Sequence, residues 1–208
     1  MNTIKNLMVL SAFLLTAQFT NAQSSAMKDP VTFKLKNGLT IIVAENNDVA
    51  NVFAGFTSDT NLSTTVNKPG AQELLVAMMN SSLLRLDSGL TYTDKGGNIN
   101  TNPGHFDKAL ELLSSALKQQ LFNQKDLVAA KKELLVSLEA NNRYLPDSVS
   151  KTSVHDLSMQ DITMLFDALM VPSKSFLTIV GNIKVSEAKL LAKKSLGNWK
   201  GSGMEIAK

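Results

Sequence analysis

Apolar positions along this chain recur in two rhythms. From Val31 to Leu35 and from Leu39 to Val43 they crowd into short β-rich runs joined by Lys36-Asn37-Gly38. An Asn-Gly pair between such runs is a strong hairpin signal, because both residues tolerate the positive φ that the tight turn needs. Val49–Phe56 predicts a further strand, and the Ser-, Thr-, Asn- and Asp-rich stretch Thr57–Lys68 predicts a loop. The rhythm then becomes helical. Leu74, Leu75, Met78, Met79, Leu83 and Leu84 recur at helical spacing, so Pro69 and Gly70 are expected to open a helix reaching about Leu86.

The same period predicts helices over Phe106–Gln119 and Gln124–Asn141. Between the first two helices, Asp87–Pro103 holds several Gly, with a short strand expected at Asn98–Thr101. Lys95-Gly96-Gly97 lacks the spacing of a phosphate-binding loop and reads as a turn. Leu145–Ser158 reads as a polar connector. Ser158 then caps a helix ending near Met170, with Asp161 at the capping-box position. Ser175–Val180 predicts a buried strand closed by Gly181, and Ser186–Leu196 the last helix, ended by Gly197. Strands, then helices, then a strand and a helix predict an α+β domain: an antiparallel sheet from both ends of the chain, covered on one face by helices.

Composition adds three constraints. At 208 residues the chain suits one substantial domain. The net charge of +3 is spread along the chain, without the basic cluster that a nucleic-acid surface requires. There are no cysteines, so disulfides, thiol catalysis and cysteine-held zinc are excluded. Residues 1–22 combine Lys5, an apolar run over Leu7–Phe19 and small residues at Thr20 and Ala22. That pattern is expected of a cleaved secretory signal peptide, followed by a polar tether at 23–30 and a single domain over 31–208. The run is shorter than the roughly 20 apolar residues of a spanning helix, so no membrane span is expected after cleavage. Export without cysteines leans towards a bacterial periplasm, with secretion as the alternative.

Gly70-Ala-Gln-Glu-Leu-Leu-Val-Ala-Met-Met79 carries the most specific resemblance. It resembles the helix of insulinase/pitrilysin-family zinc peptidases, in which a Gly precedes an inverted His-x-x-Glu-His motif and an apolar pair. Phe33–Val43 is similar to that family's opening Leu-x-Asn-Gly-Leu strands, and Phe106–Leu113 to its Phe-x-x-Ala-Leu-x-Leu-Leu helix. Leu121–Leu127, Met159–Phe166, Thr178–Ile183 and Gly197-Asn198-Trp199 follow in the family's order. The resemblance implies a half-domain of that fold.

It also implies where the chemistry should stand. The two His positions fall on Glu73 and Ala77, the catalytic Glu position on Val76, and the third ligand, aligned on Lys131, on Ser137. Zinc hydrolysis needs neutral His or carboxylate ligands, an open coordination position and a base. Ala77 cannot ligate and Val76 cannot take a proton. Neither cofactor nor bound metal is expected, and the chain is expected to be a non-catalytic homologue. His105 and His155 have no second ligand at metal spacing, and no Gly-x-Ser-x-Gly turn supports a serine hydrolase.

Three roles follow for such a chain. It pairs as the empty partner of a catalytic family member, or with itself, to hold a peptide or protein. It is a structural or scaffolding envelope protein. Or it is a divergent peptidase built on Glu73 and His155. For the first, the expected surface is Gln72, Glu73 and Val76 with Asn98 and Asn100, since peptides add to an exposed sheet edge through the backbone.

Overall fold

The predicted hairpin forms: β1 (Val31–Lys34) pairs antiparallel with β2 (Thr40–Glu45). Gly38 sits at φ +91°, and a Cβ there would meet the Ser173 backbone at 2.9 Å, so the turn requires glycine. Asn37 donates from Nδ2 to the carbonyls of Leu196 and Trp199, each at 2.8 Å. The first turn is thereby fastened to the last helix. The structure, a computed structural model, describes residues 27–86, 89–94, 96–140 and 145–201. The expected signal peptide at 1–22 lies outside the described residues. At the tether's end, Met27 bridges Asn46 and the Lys28 N–H donates to the Glu45 carbonyl, so pairing to the sheet reaches back beyond Val31.

The sheet is completed by β3 (Val52–Ser58), β4 (Thr91–Thr93), β5 (Gly96–Thr101) and β6 (Ser175–Gly181), in the order β1-β2-β6-β3-β5-β4. Its neighbours are antiparallel except β2 and β6, which run parallel. A parallel neighbour needs a long crossover, and the whole helical middle of the chain supplies it. The wholly antiparallel sheet expected from sequence is corrected at this one pair.

Register sorts the strands into two faces. Val43, Ile179, Ala54 and Ile99 form a row across four strands, all buried. The adjacent row, Ile42, Thr178, Gly55 and Asn98, points the other way and is partly or fully exposed. Helices cover the first face: α1 (Ala71–Arg85), α2 (Phe106–Lys118), α3 (Gln124–Glu139), α4 (Lys151–Asp156), α5 (Met159–Leu169) and α6 (Val185–Leu196). Their apolar stripes and the buried strand residues make one core.

Three local features depart from the sequence reading. Gly96 and Gly97 are not a turn but the start of β5, opposite Thr93 and Tyr92. A Cβ on Gly96 would lie 2.0 Å from the Phe56 carbonyl oxygen, and one on Gly97 would lie 2.7 Å from Leu113, so both are glycines of close approach. The connector at 145–158 contains α4, held by a Ser150–Ser153 capping box. Pro69 lies before the helix, not in its first turn, because Gly70 is the N-cap of α1.

Candidate functional site

Gly70 sets where α1 begins. It is left-handed at φ +90°, and a Cβ would meet Val154 at 3.2 Å and Leu157 at 3.4 Å, so the helix start is pressed against α4 and its flanks. Just before it, Lys68 forms an ion pair with Asp161 at 2.6 Å, and Asp161 also accepts from the Ser158 N–H and hydroxyl. Burial pushes the Asp161 carboxyl up, but those donors outweigh it and bring it down to about 2.

At its other end α1 is fixed to α3. Arg85 grips Asp126 with two bonds, Nη1 to Oδ1 at 2.7 Å and Nη2 to Oδ2 at 3.2 Å. Asp126 in turn accepts from the Asn123 N–H in the capping box of α3. Burial raises this carboxyl and the Arg85 and Asn123 donors lower it, with a net fall. The end of α1 therefore meets the start of α3, and the two helices run antiparallel.

That pairing puts the four resemblance-derived positions at a similar level along the two helix axes. Ala77 lies about 12 Å along α1 from Arg85, and Ser137 about 16 Å along α3 from Asp126, at 1.5 Å per residue. Glu73, Val76, Ala77 and Ser137 thus sit towards one end of the α1–α3 seam, all of them half-buried. Their chemistry is one carboxylate, two aliphatic groups and one hydroxyl. Such a set has no base beside a water position and too few ligands for a catalytic zinc. Among the described residues no three His, Cys, Asp or Glu cluster as a metal site would require. Glu73 borders a shallow cleft of about 150 Å³ with Lys68, Gln72 and Ser148. His155 lines a different depression with Leu135 and Lys151, so the alternative pair Glu73 and His155 does not share a cleft.

The expected interface is divided. Gln72, Glu73 and Val76 lie on α1, on the helix-covered side. Asn98 and Asn100 stand on the opposite, helix-free face, where they line a groove of about 400 Å³ with Phe53, Gly55, Thr178 and Val180. Of their strand, β5, only Gly96–Asn98 is covered by β4, so Asn98 has an outer neighbour in the sheet while Asn100 lies beyond the end of that pairing. Sequence reasoning missed Asn80, whose side chain bonds the backbone of β4. A signal existed: Asn is a poor residue for a helix interior unless its amide has somewhere to go.

Solved structures share this arrangement. A protease from Helicobacter pylori superposes with a TM-score of 0.69 at 11% identity, over 85% of this chain and 52% of that one. The fold is that of an M16, or insulinase-type, peptidase half-domain. The first half of the periplasmic protease PqqL from Escherichia coli gives 0.67 at 12% identity, over 83% of this chain and 46% of its own. A peptidase M16 inactive domain from Pseudomonas fluorescens gives 0.65 at 14%, over 84% and 52%. This chain therefore spans about half the length of these M16-type relatives in structure. No protein-family model and no curated protein matches the sequence. Among the described residues no helix is long and apolar enough to cross a membrane.

Proposed function

We propose that this chain is a non-catalytic M16-type half-domain that works as the partner of a catalytic homologue, helping to enclose a peptide or protein. What supports this reading is the helix α1 in that fold: on the alignment the resemblance implies, Val76 and Ala77 fall where a base and a ligand would be needed. Two further findings support it. The chain spans about half of several structural neighbours, and one of them is an inactive M16 domain that superposes on 84% of this chain and is itself covered to 52%. Export to a bacterial periplasm fits the leader pattern at 1–22, and one neighbour is a periplasmic protease.

The test joins metal analysis to affinity capture. Purified protein is expected to hold no stoichiometric zinc and to leave an unstructured peptide pool uncleaved. Tagged protein drawn from its native envelope fraction is expected to bring down a homologue bearing His-x-x-Glu-His. Chelator-sensitive cleavage by the purified protein would overturn the non-catalytic reading. Recovery of only unrelated envelope proteins would favour the scaffold.

A further inference from the structure

The two edges of the sheet are strands β1 and β4. An edge strand normally presents unpaired N–H and C=O groups, which invite another strand. At β4 those groups are occupied. Asn80, in the middle of α1, donates from Nδ2 to the Tyr92 carbonyl at 2.8 Å and accepts from the Tyr92 N–H through Oδ1 at 2.8 Å. Only one orientation of the amide satisfies both bonds, so its assignment is fixed by the network. Two residues further along, Gln72 donates from Nε2 to the Asp94 carbonyl at 2.8 Å.

Backbone alternation gives these contacts their meaning. Tyr92 stands opposite Gly97 in the antiparallel ladder with β5. In such a ladder a residue turns both its N–H and its C=O either towards its neighbour or away from it. Those of Tyr92 go to Asn80 and therefore face outwards. The side-chain amide of Asn80 reproduces the donor–acceptor pair that one residue of an added strand would offer. From this we infer that α1 closes the β4 edge to strand addition, with Asn80 as the sealing residue and Gln72 as a second, outer tie.

The consequence concerns docking. A partner engaging this domain does not extend the sheet at β4 unless it displaces Asn80, and its contacts fall elsewhere. The inference is independent of the proposed partnership, because it rests on bonds within this chain.

Amide hydrogen exchange at Tyr92, read by NMR, tests it, with a labelled seven-residue peptide of alternating Thr and Val as the strand probe. In the unaltered protein Tyr92 is expected to exchange slowly and the probe to leave that rate unchanged. Asn80→Ala is expected to speed exchange at Tyr92 at least tenfold while the Leu75 amide stays slow, and the probe should then restore protection. Asn80→Asp keeps the acceptor for the Tyr92 N–H and is expected to hold its exchange within about twofold of the original. Gln72→Ala, which leaves the Tyr92 bonds intact, should do the same. Fast exchange at Tyr92 in the unaltered protein, or equal probe binding by it and by Asn80→Ala, overturns the inference. Exchange at Tyr92 in the unaltered protein, with and without the probe, can overturn the inference even if a variant folds poorly.

Discussion

The two sides of α1 have been kept to different standards. On the side that holds the helix in place, nearly every contact is specific: Leu74, Leu75, Met78 and Met79 are fully buried, and Arg85 grips Asp126. On the side where a zinc peptidase would keep its ligands, Val76 and Ala77 are half-buried aliphatics and Glu73 is a helix-surface carboxylate. The difference teaches that the frame of this helix does not depend on the chemistry it resembles. Packing and the Arg85–Asp126 ion pair hold the helix, and none of these contacts uses Glu73, Val76 or Ala77 as a metal ligand.

The sharpest way to break that comparison is to cut into the holding side. Leu75→Ala removes a fully buried side chain from the centre of the core and is expected to cost about 2–5 kcal/mol. Urea unfolding followed by circular dichroism measures it. A loss under about 1 kcal/mol would mean that the core around α1 is loosely packed, and the comparison would fail.

Next in size is the acid dependence of the approach to α1. The Asp161 carboxyl is lowered from an ordinary 3.8 to about 2 by Lys68 and Ser158. A depressed carboxylate favours the folded state above its unfolded value, and that contribution disappears as pH falls through its folded value. Stability is therefore expected to fall between roughly pH 4 and pH 2, by about 2 kcal/mol at most. Asp161→Asn is expected to flatten that part of the profile while lowering stability at neutral pH. Denaturant midpoints measured from pH 2 to pH 7 decide it, and an unchanged slope in the variant would assign the acid sensitivity to other groups.

Arg85→Ala is expected to cost less, about 1 kcal/mol, because Arg85 is half exposed while Asp126 is buried and keeps its Asn123 donor. Here the useful readout is a double-mutant cycle with Asp126→Asn. A coupling near zero would show that the antiparallel pairing of α1 and α3 is held by apolar contact alone.

How much of this was legible beforehand depends on the range of the forces involved. The hairpin turn at Asn37-Gly38, the Ser158–Asp161 cap and the helical stripes are local, and each was readable from residues close in sequence. The order of the resemblance's fragments gave the half-domain fold. What sequence hid was long-range. The parallel pairing of β2 with β6 joins residues well over a hundred positions apart. Strand β4 has only three residues and borrows bonds from Asn80, so its own pattern is too short to declare it. Gly96 and Gly97 look like turn residues until the Phe56 carbonyl and Leu113 are seen against them. The candidate positions Glu73, Val76, Ala77 and Ser137 could be named from the resemblance. Their separation from Asn98 and Asn100 could not, because strand alternation decides the face only once register is known.

The smallest expected effect belongs to the empty side. Glu73 bonds to no described residue through its side chain, and its clearest physical role is a negative charge in the first turn of α1. Such a charge favours a helix by about 0.3–1 kcal/mol through the helix dipole. Replacement by Ala gives back part of that through better helix propensity. Glu73→Ala is therefore expected to change stability by no more than about 0.5 kcal/mol, the range of ordinary surface substitutions. Isothermal titration with zinc, run beside urea unfolding, should give the same trace for the variant and the original protein. A variant that lost zinc binding or peptide cleavage would show Glu73 to be a working ligand. The two sides of α1 would then differ in which chemistry they carry, and the contrast drawn between frame and function would not hold.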